Sequence, residues 1–285
     1  MKSLGSFILC SLLACSIKKF LLIFILAVVS CTAVKHDSEV SIASPNPSVK
    51  NAPTEYVEKS TVFLKLASND HSYNCTGVLV TSRRILTADH CMDIVKKNDE
   101  VTVSFGSDPS GFLEAWRNFQ EFNIDRSQLR GVTRIRRHPT SDLATLDLTE
   151  EAPKGSKPVV IHSPETPLPK GQEVVVAGFG PVCDSKVKEK EYLRWGWMNF
   201  DKWLEADTGG EGARRRTYPN ALRFTPGSGN SSVCRGDSGG PVFALLENKI
   251  WGLVGIISMS HQEGGEYNAT SADARANAAW ILDSN

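Results

Sequence analysis

The sequence predicts an all-β protein whose strands fall into two groups, followed by one C-terminal helix. Short runs rich in Val, Ile, Leu and Thr succeed one another from residue 61, each bounded by turn residues, the pattern of a sandwich or barrel. A Pro-rich connection, "APKGSKPVVIHSPETPLPKG" (152–171), divides these runs into an earlier and a later set. The 285 residues suffice for one large core or two modest ones. The 32 basic and 32 acidic residues cancel, so no global field draws nucleic acid or an acidic substrate. The local runs "RIRRH" (134–138) and "ARRR" (213–216) read as solvated loops.

Before the strands lie two segments of different character. In "KKFLLIFILAVVSC" (18–31) a basic pair precedes an apolar run too short to span a bilayer but suited to the core of a signal peptide. Its end, "VVSC", resembles the bacterial lipobox, which implies that residues 1–30 are removed and that Cys31 carries a lipid. The expected location is therefore outside the cytoplasm: a periplasmic, outer-membrane or cell-surface lipoprotein, or a form released from it. Residues 31–58 are polar, rich in Ser and Pro, and without sustained periodicity, and read as a tether.

The earlier strands are "TVFLKLA", "TGVLVTS", "RILTADH", "VTVSFG", "GVTRIRR" and "DLATLDL", giving a first unit over about 59–150. The later ones are "EVVVAGFG", "NALRF", "GGPVFALLE" and "IWGLVGIISM", a second unit over about 172–268. The helix is placed at 271–282, "SADARANAAWIL", with Ser271 or Asp273 as its cap and Ala274, Ala278, Ile281 and Leu282 on one face. Of seven cysteines, Cys10 and Cys15 leave with the leader and Cys31 takes the lipid. Cys75, Cys91, Cys183 and Cys234 remain, enough for two disulfides in any of three connectivities.

The chemistry gathers around Ser238 in "SVCRGDSGGP" (232–241). A serine hydroxyl attacks a carbonyl only when a base takes its proton and donors stabilise the oxyanion. His90 ends the apolar strand of "RILTADHC", and a bond from Cys91 back to Cys75 would pin it. Asp142 stands at the mouth of the strand in "SDLATLDL" and is placed to orient an imidazole; Asp147, inside the same strand, is its rival. Gly236 and the glycines after Ser238 permit a tight turn whose N–H groups converge.

The ordered motifs "TADHC", "DLATL" and "GDSGGP" resemble those of the chymotrypsin-like, or trypsin-fold, serine proteases. The likeness runs from about Thr61 to Leu282 and implies two six-stranded β-barrels around a catalytic cleft, a protease domain over 59–285 and a C-terminal helix. It implies His90 as general base, Asp142 as its orienting partner and Ser238 as nucleophile, with the N–H groups of Gly236 and Ser238 as oxyanion hole. The reaction is peptide-bond hydrolysis through an acyl-enzyme on a protein or peptide substrate. No metal or cofactor is expected, and the chain is expected to be a monomer. An α/β-hydrolase is excluded, because that fold needs Ser, acid and His in that chain order and a helix directly after the serine. A catalytically idle binding module on the same fold is the contrasting reading.

The resemblance also assigns substrate-binding positions. Ser232 falls at the base of the primary pocket, with Val233 and Met259 as apolar wall, and Ser258, Met259 and Ser260 pair with the substrate backbone. A neutral Ser232 favours apolar or aromatic residues before the cut, whereas Glu266 reaching inside would favour basic ones. Family members join the cysteine before "GDSGGP" to one downstream; none follows Cys234 here, so Cys183–Cys234 is expected beside Cys75–Cys91. Segment 184–220, with Trp195, Trp197, Phe200 and Trp203, departs from the family and reads as a loop packed by its own aromatic cluster, ahead of an aromatic wall for substrate. Asp237, buried in the family, needs a cation. A new α-amine made by cleavage before Val49 is one source and a Lys or Arg side chain the other.

Overall fold

The computed structural model describes residues 53–67, 72–96, 99–117, 126–181, 183, 191–209, 216–229, 231–245, 250–263 and 266–283. The leader, Cys31, the Val49 site and all of 184–190 and 210–215 lie outside these residues.

Two closed antiparallel barrels of six strands each make up the fold. The first contains β1 (Thr61–Ala67), β2 (Ser72–Thr81), β3 (Arg84–Thr87), β4 (Glu100–Ser104), β5 (Leu129–Arg137) and β6 (Ala144–Leu148). The second contains β7 (Glu173–Gly178), β8 (Arg194–Gly209), β9 (Arg216–Pro226), β10 (Pro241–Leu245), β11 (Trp251–Glu263) and β12 (Glu266–Asp273). Around the first barrel the order is β1-β2-β3-β6-β5-β4, and β7-β8-β9-β12-β11-β10 repeats it in the second. Closure leaves no free sheet edge around either barrel.

Alternation along β1 and β2 turns Val62, Leu64 and Leu66 into the first core with Val78, Ile85, Leu86 and Leu146, all fully buried. Each such side chain contributes about 1.5–3 kcal/mol of burial. Val174, Val176, Met198, Leu222, Phe224 and Val242 do the same in the second barrel. Phe63 meets Phe179 edge-on at 5.5 Å, one contact between the two barrels.

Three sequence expectations are corrected here. The tether ends early: Thr54–Ser60 form helix α1, with Val57 fully buried and the Tyr56 ring against Phe243 of β10 at 5.3 Å. The aromatic segment is not a loop packed on the second barrel but part of its wall, as strand β8, in register with β7 from Glu173↔Asn199 to Gly178↔Arg194. Trp195 and Phe200 are buried, Trp197 stacks near Trp251 at 5.9 Å, and the exposed Trp203 lies under the Arg275 guanidinium at 4.8 Å. The C-terminal helix is also shorter than 271–282. Ser271 and Asp273 belong to β12, paired with Ile257 and Gly255, and helix α3 covers only Ala278–Leu282. The Asp273 carboxylate accepts the N–H and Nε of Arg275 at 2.9 and 3.1 Å, and its carbonyl accepts the Asn277 amide at 2.7 Å. These bonds make a turn where helix propensity alone would have started a helix. A third helix, α2 (Ser110–Arg117), covers the first barrel through Leu113.

Candidate active site

His90 lies in a short 3-10 helix, Asp89–Ile94, entered directly from β3. The first N–H groups of such a turn lack partners within it, and here a carboxylate supplies one. Asp142 Oδ1 accepts the His90 backbone N–H at 2.8 Å, while Asp142 Oδ2 lies 2.8 Å from His90 Nδ1. Ser258 Oγ donates to the same Oδ2 at 2.5 Å. The carboxylate is wholly buried and fully engaged.

Burial by itself would push the His90 imidazole down, but the charge and hydrogen bond of Asp142 outweigh it and hold the pKa above the ordinary value. Burial would likewise raise Asp142, yet His90 and Ser258 bring its carboxyl below the usual range. With Nδ1 facing Asp142, Nε2 is the nitrogen left for a proton from elsewhere.

Ser238 is half-buried in the turn between Cys234 and β10. Its carbonyl accepts the Thr76 N–H at 2.8 Å, and the Gly236 carbonyl accepts Thr76 Oγ1 at 2.8 Å. Thr76 in turn accepts the Phe179 N–H at 3.0 Å, and its carbonyl is held by Thr87 Oγ1 at 2.7 Å. A first-barrel threonine thus anchors the serine turn of the second barrel. Sequence reasoning missed it; its one signal is its place directly after Cys75. Gly236 adopts φ 101°, in the region that glycine alone occupies without strain.

Cys75–Cys91 ties β2 to the helix of His90, closing a separation of 16 residues worth about 3 kcal/mol in the loop-closure model. Cys183–Cys234 ties the segment after β7 to the turn before Ser238. Asp237 is fully buried, and its Oδ1 and Oδ2 accept the N–H groups of Gly180 and Cys234 at 2.7 and 2.8 Å.

The other expected site residues separate into groups. Ser232 is buried, with Oγ 3.3 Å from Cys183 Sγ, and Val233 packs with the second-barrel core. Ser258 falls at a β-bulge between Ile257 and Met259, which removes it from the ladder with β12 and aims its hydroxyl at Asp142. Met259 is half-buried and Ser260 exposed. Glu266 is exposed at the end of the β11–β12 hairpin, opposite Glu263. Asp147, the rival of Asp142, binds Arg84 Nε at 2.7 Å, and that arginine holds the carbonyls of Ile281 and Asp283. Its role is to dock the C-terminal helix. Beside Asp89, the residues His138, Thr140, Thr217 and Tyr218 line an open cleft of about 570 Å³ between the segment before Asp142 and the β8–β9 hairpin.

A family model described as Trypsin matches residues 49–281. The chain is 26% identical over 202 residues to Mannan-binding lectin serine protease 1 of Mus musculus, covering 67% of this chain and 28% of that protein. It is 27% identical over 207 residues to Phenoloxidase-activating enzyme 1 of Spodoptera litura, covering 67% and 53%. It is 29% identical over 192 residues to Vitamin K-dependent protein C of Rattus norvegicus, covering 65% and 40%. The chain therefore spans about half or less of the length of these relatives. In fold it is similar to a protease from M. tuberculosis in its active form, with a TM-score of 0.57 at 19% identity over 87% of this chain and 92% of that one.

Proposed function

The chain belongs to the trypsin family of serine proteases, and on that premise we propose that it is an endopeptidase working through His90, Asp142 and Ser238. One observation carries the reading: the buried Asp142 grips both the backbone N–H and Nδ1 of His90, each at 2.8 Å. That grip fixes the tautomer that leaves Nε2 basic and stabilises the imidazolium that forms when Ser238 gives up its proton.

Ser238 Oγ attacks the scissile carbonyl carbon as its proton passes to His90 Nε2. The N–H groups of Gly236 and Ser238 hold the oxyanion. Collapse breaks the C–N bond, and the leaving amine takes the proton from His90. Water, deprotonated by His90, then cleaves the acyl ester and restores Ser238. The substrate lies as an antiparallel strand along Ser258–Ser260, where β11 has run past its pairing with β10, which ends at Ile256.

Cleavage follows apolar or aromatic residues. Supporting this, Ser232 presents a neutral hydroxyl, and Glu266 sits exposed at a hairpin end. A peptide-library profile led by Phe, Tyr, Leu and Met is the expected result; one dominated by Arg and Lys would defeat this specificity. Export, with a signal segment over 1–30 and a lipid on Cys31, belongs to the same proposal on sequence grounds.

A further inference from the structure

Asp142 reaches His90 from the loop 138–143, which joins β5 to β6 above the last ladder pair, Arg137↔Ala144. Asp142 is the middle residue of a tight turn in which the Leu143 N–H donates to the Ser141 carbonyl at 2.8 Å. The ends of the loop are tied by the His138 N–H, which donates to the Leu143 carbonyl at 2.8 Å. Its middle is tied by the His138 side chain. Nδ1 accepts the N–H of Ser141 at 2.8 Å and that of Thr140 at 3.2 Å.

These bonds fix the state of the ring. A backbone N–H can only donate, so Nδ1 must keep its lone pair, and the proton of the neutral imidazole sits on Nε2. A proton on Nδ1 would set one N–H against two others. Trp280 of α3 backs the ring edge-on at 4.6 Å, and the Arg136 guanidinium covers Trp280 at 4.6 Å. Arg137 does the matching task across the contact: its Nη2 binds Asp89 at 2.7 Å and Asp93 at 2.6 Å, both in the 3-10 helix that carries His90. The end of "RIRRH", read from the sequence as a solvated loop, thus holds both sides of the bond between Asp142 and His90.

Resting on the serine protease reading above, we propose that His138, neutral and accepting at Nδ1, is a positioning residue that sets the Asp142 turn and so its grip on His90, and that protonation of His138 releases this turn and shuts the enzyme down in acid. The surroundings accord with it. Burial holds the ring below the ordinary histidine value, the Arg136 charge adds to this, and Asp89 opposes it. The other charged or titratable groups nearby are Arg137 on β5, Asp93 beside His90, Asp283 after α3, bound to Arg136 at 3.5 Å, and Tyr218, which lines the cleft with His138. His90 is displaced upward and His138 downward, so the release acts on the acid side of the His90 limb.

The test uses the full chain, as wild type, His138→Phe and His138→Asn, with kcat and KM measured from pH 4.5 to 8, an organophosphonate to count competent Ser238, and NMR of the imidazoles. In the wild type at pH 7.5, nitrogen shifts should show His138 protonated on Nε2 and bare on Nδ1, a result that does not depend on how any variant folds. Phe keeps a ring against Trp280 but has no acceptor. The Asn Oδ1 takes the place of Nδ1 and does not titrate in this range. His138→Phe is expected to lower kcat by about 30-fold at pH 7.5 with KM changed by less than about 3-fold. It should also bring the His90 titration down toward that of a free imidazole, because Asp142 no longer grips it. His138→Asn should keep kcat within about 3-fold of wild type at pH 7.5 and exceed it by about 10-fold at pH 4.5, where the wild type has lost its neutral His138. A wild-type His138 protonated on Nδ1, a His138→Phe chain with wild-type kcat and His90 titration, or a His138→Asn chain no more resistant to acid than wild type would overturn the proposal while leaving a labelled, active wild type in place. A wild-type chain that neither labels nor cleaves would instead remove the reading on which it rests, and this proposal with it.

Discussion

Asp142, from the first barrel, and Asp237, from the second, are both shielded completely from solvent, yet their carboxyls are displaced in opposite directions. Burial raises both. At Asp142 a titratable imidazole lies at 2.8 Å and a hydroxyl adds a second bond, and together they win. At Asp237 the direct partners are neutral N–H groups and the cation, Arg194 on the Gly180 carbonyl, stands one residue away, so desolvation wins. Proximity of charge, not depth of burial, sets the sign. In the proposed mechanism the first carboxylate serves the imidazole; the second closes the turn that carries Ser238.

Asp142→Asn is the most damaging way to break this contrast. An amide reverses the preferred tautomer of His90, and kcat should fall by about 10⁴ with the fold retained. The same pair governs pH. In the proposed mechanism His90 works only when neutral, and Asp142 holds its pKa above the ordinary histidine value, so wild-type kcat should rise with pH through a midpoint above that of a free imidazole. Asp142→Asn should bring the His90 titration, followed by NMR, downward.

Asp237→Asn comes next. It keeps the shape but loses one N–H acceptor, and kcat should fall by about 10²–10³, close to the loss of one oxyanion donor. It should also change stability against pH in a direction opposite to Asp142. The folded carboxyl of Asp237 titrates near 6 against 3.8 unfolded. The native state therefore binds the extra proton between these values, and stability falls as pH rises through them, by on the order of 3 kcal/mol. Asp142, depressed in the fold, adds stability at neutral pH that is lost on acidification. Urea titrations at pH 4 and 6.5 should show wild type losing more than Asp237→Asn over that interval.

A smaller effect compares glycines. Gly180→Ala drives a methyl into Asp237 and should cost about 1–3 kcal/mol in urea. Gly111→Ala, in α2 with nothing within 4 Å, should gain about 0.5–1 kcal/mol. The smallest effect on turnover is that of Ser258→Ala, which removes one hydrogen bond to Asp142 and should lower kcat by about 10-fold.

The two barrels also differ in how far their sequence betrays them. Strands β1 to β3 are dense in Val, Leu and Ile and run straight into His90, so alternation and motif agree. In the second barrel, β8 carries Gly196, Asn199, Asp201 and Lys202 among its aromatics, and a bulge between Phe200 and Lys202 breaks its period midway. β12 reads "EYNATSAD", polar in composition yet largely buried, because β9 and β11 satisfy its backbone on both sides. Its continuation is Ala-rich, which mimics a helix start. The contact between Asp142 and His90 was legible because each of the two residues stands at one kind of turn beside an apolar strand. Thr76, Gly180 and Arg194 were not, since their roles are hydrogen bonds between segments far apart in the chain.

In the proposed mechanism His90 makes Ser238 nucleophilic. The direct test is to treat the full chain with a biotinylated organophosphonate at pH 8 and locate the adduct by mass spectrometry, with His90→Ala alongside. A single stoichiometric adduct on Ser238, lost in His90→Ala, is the expected result. An unmodified Ser238, or labelling that persists without His90, would contradict it.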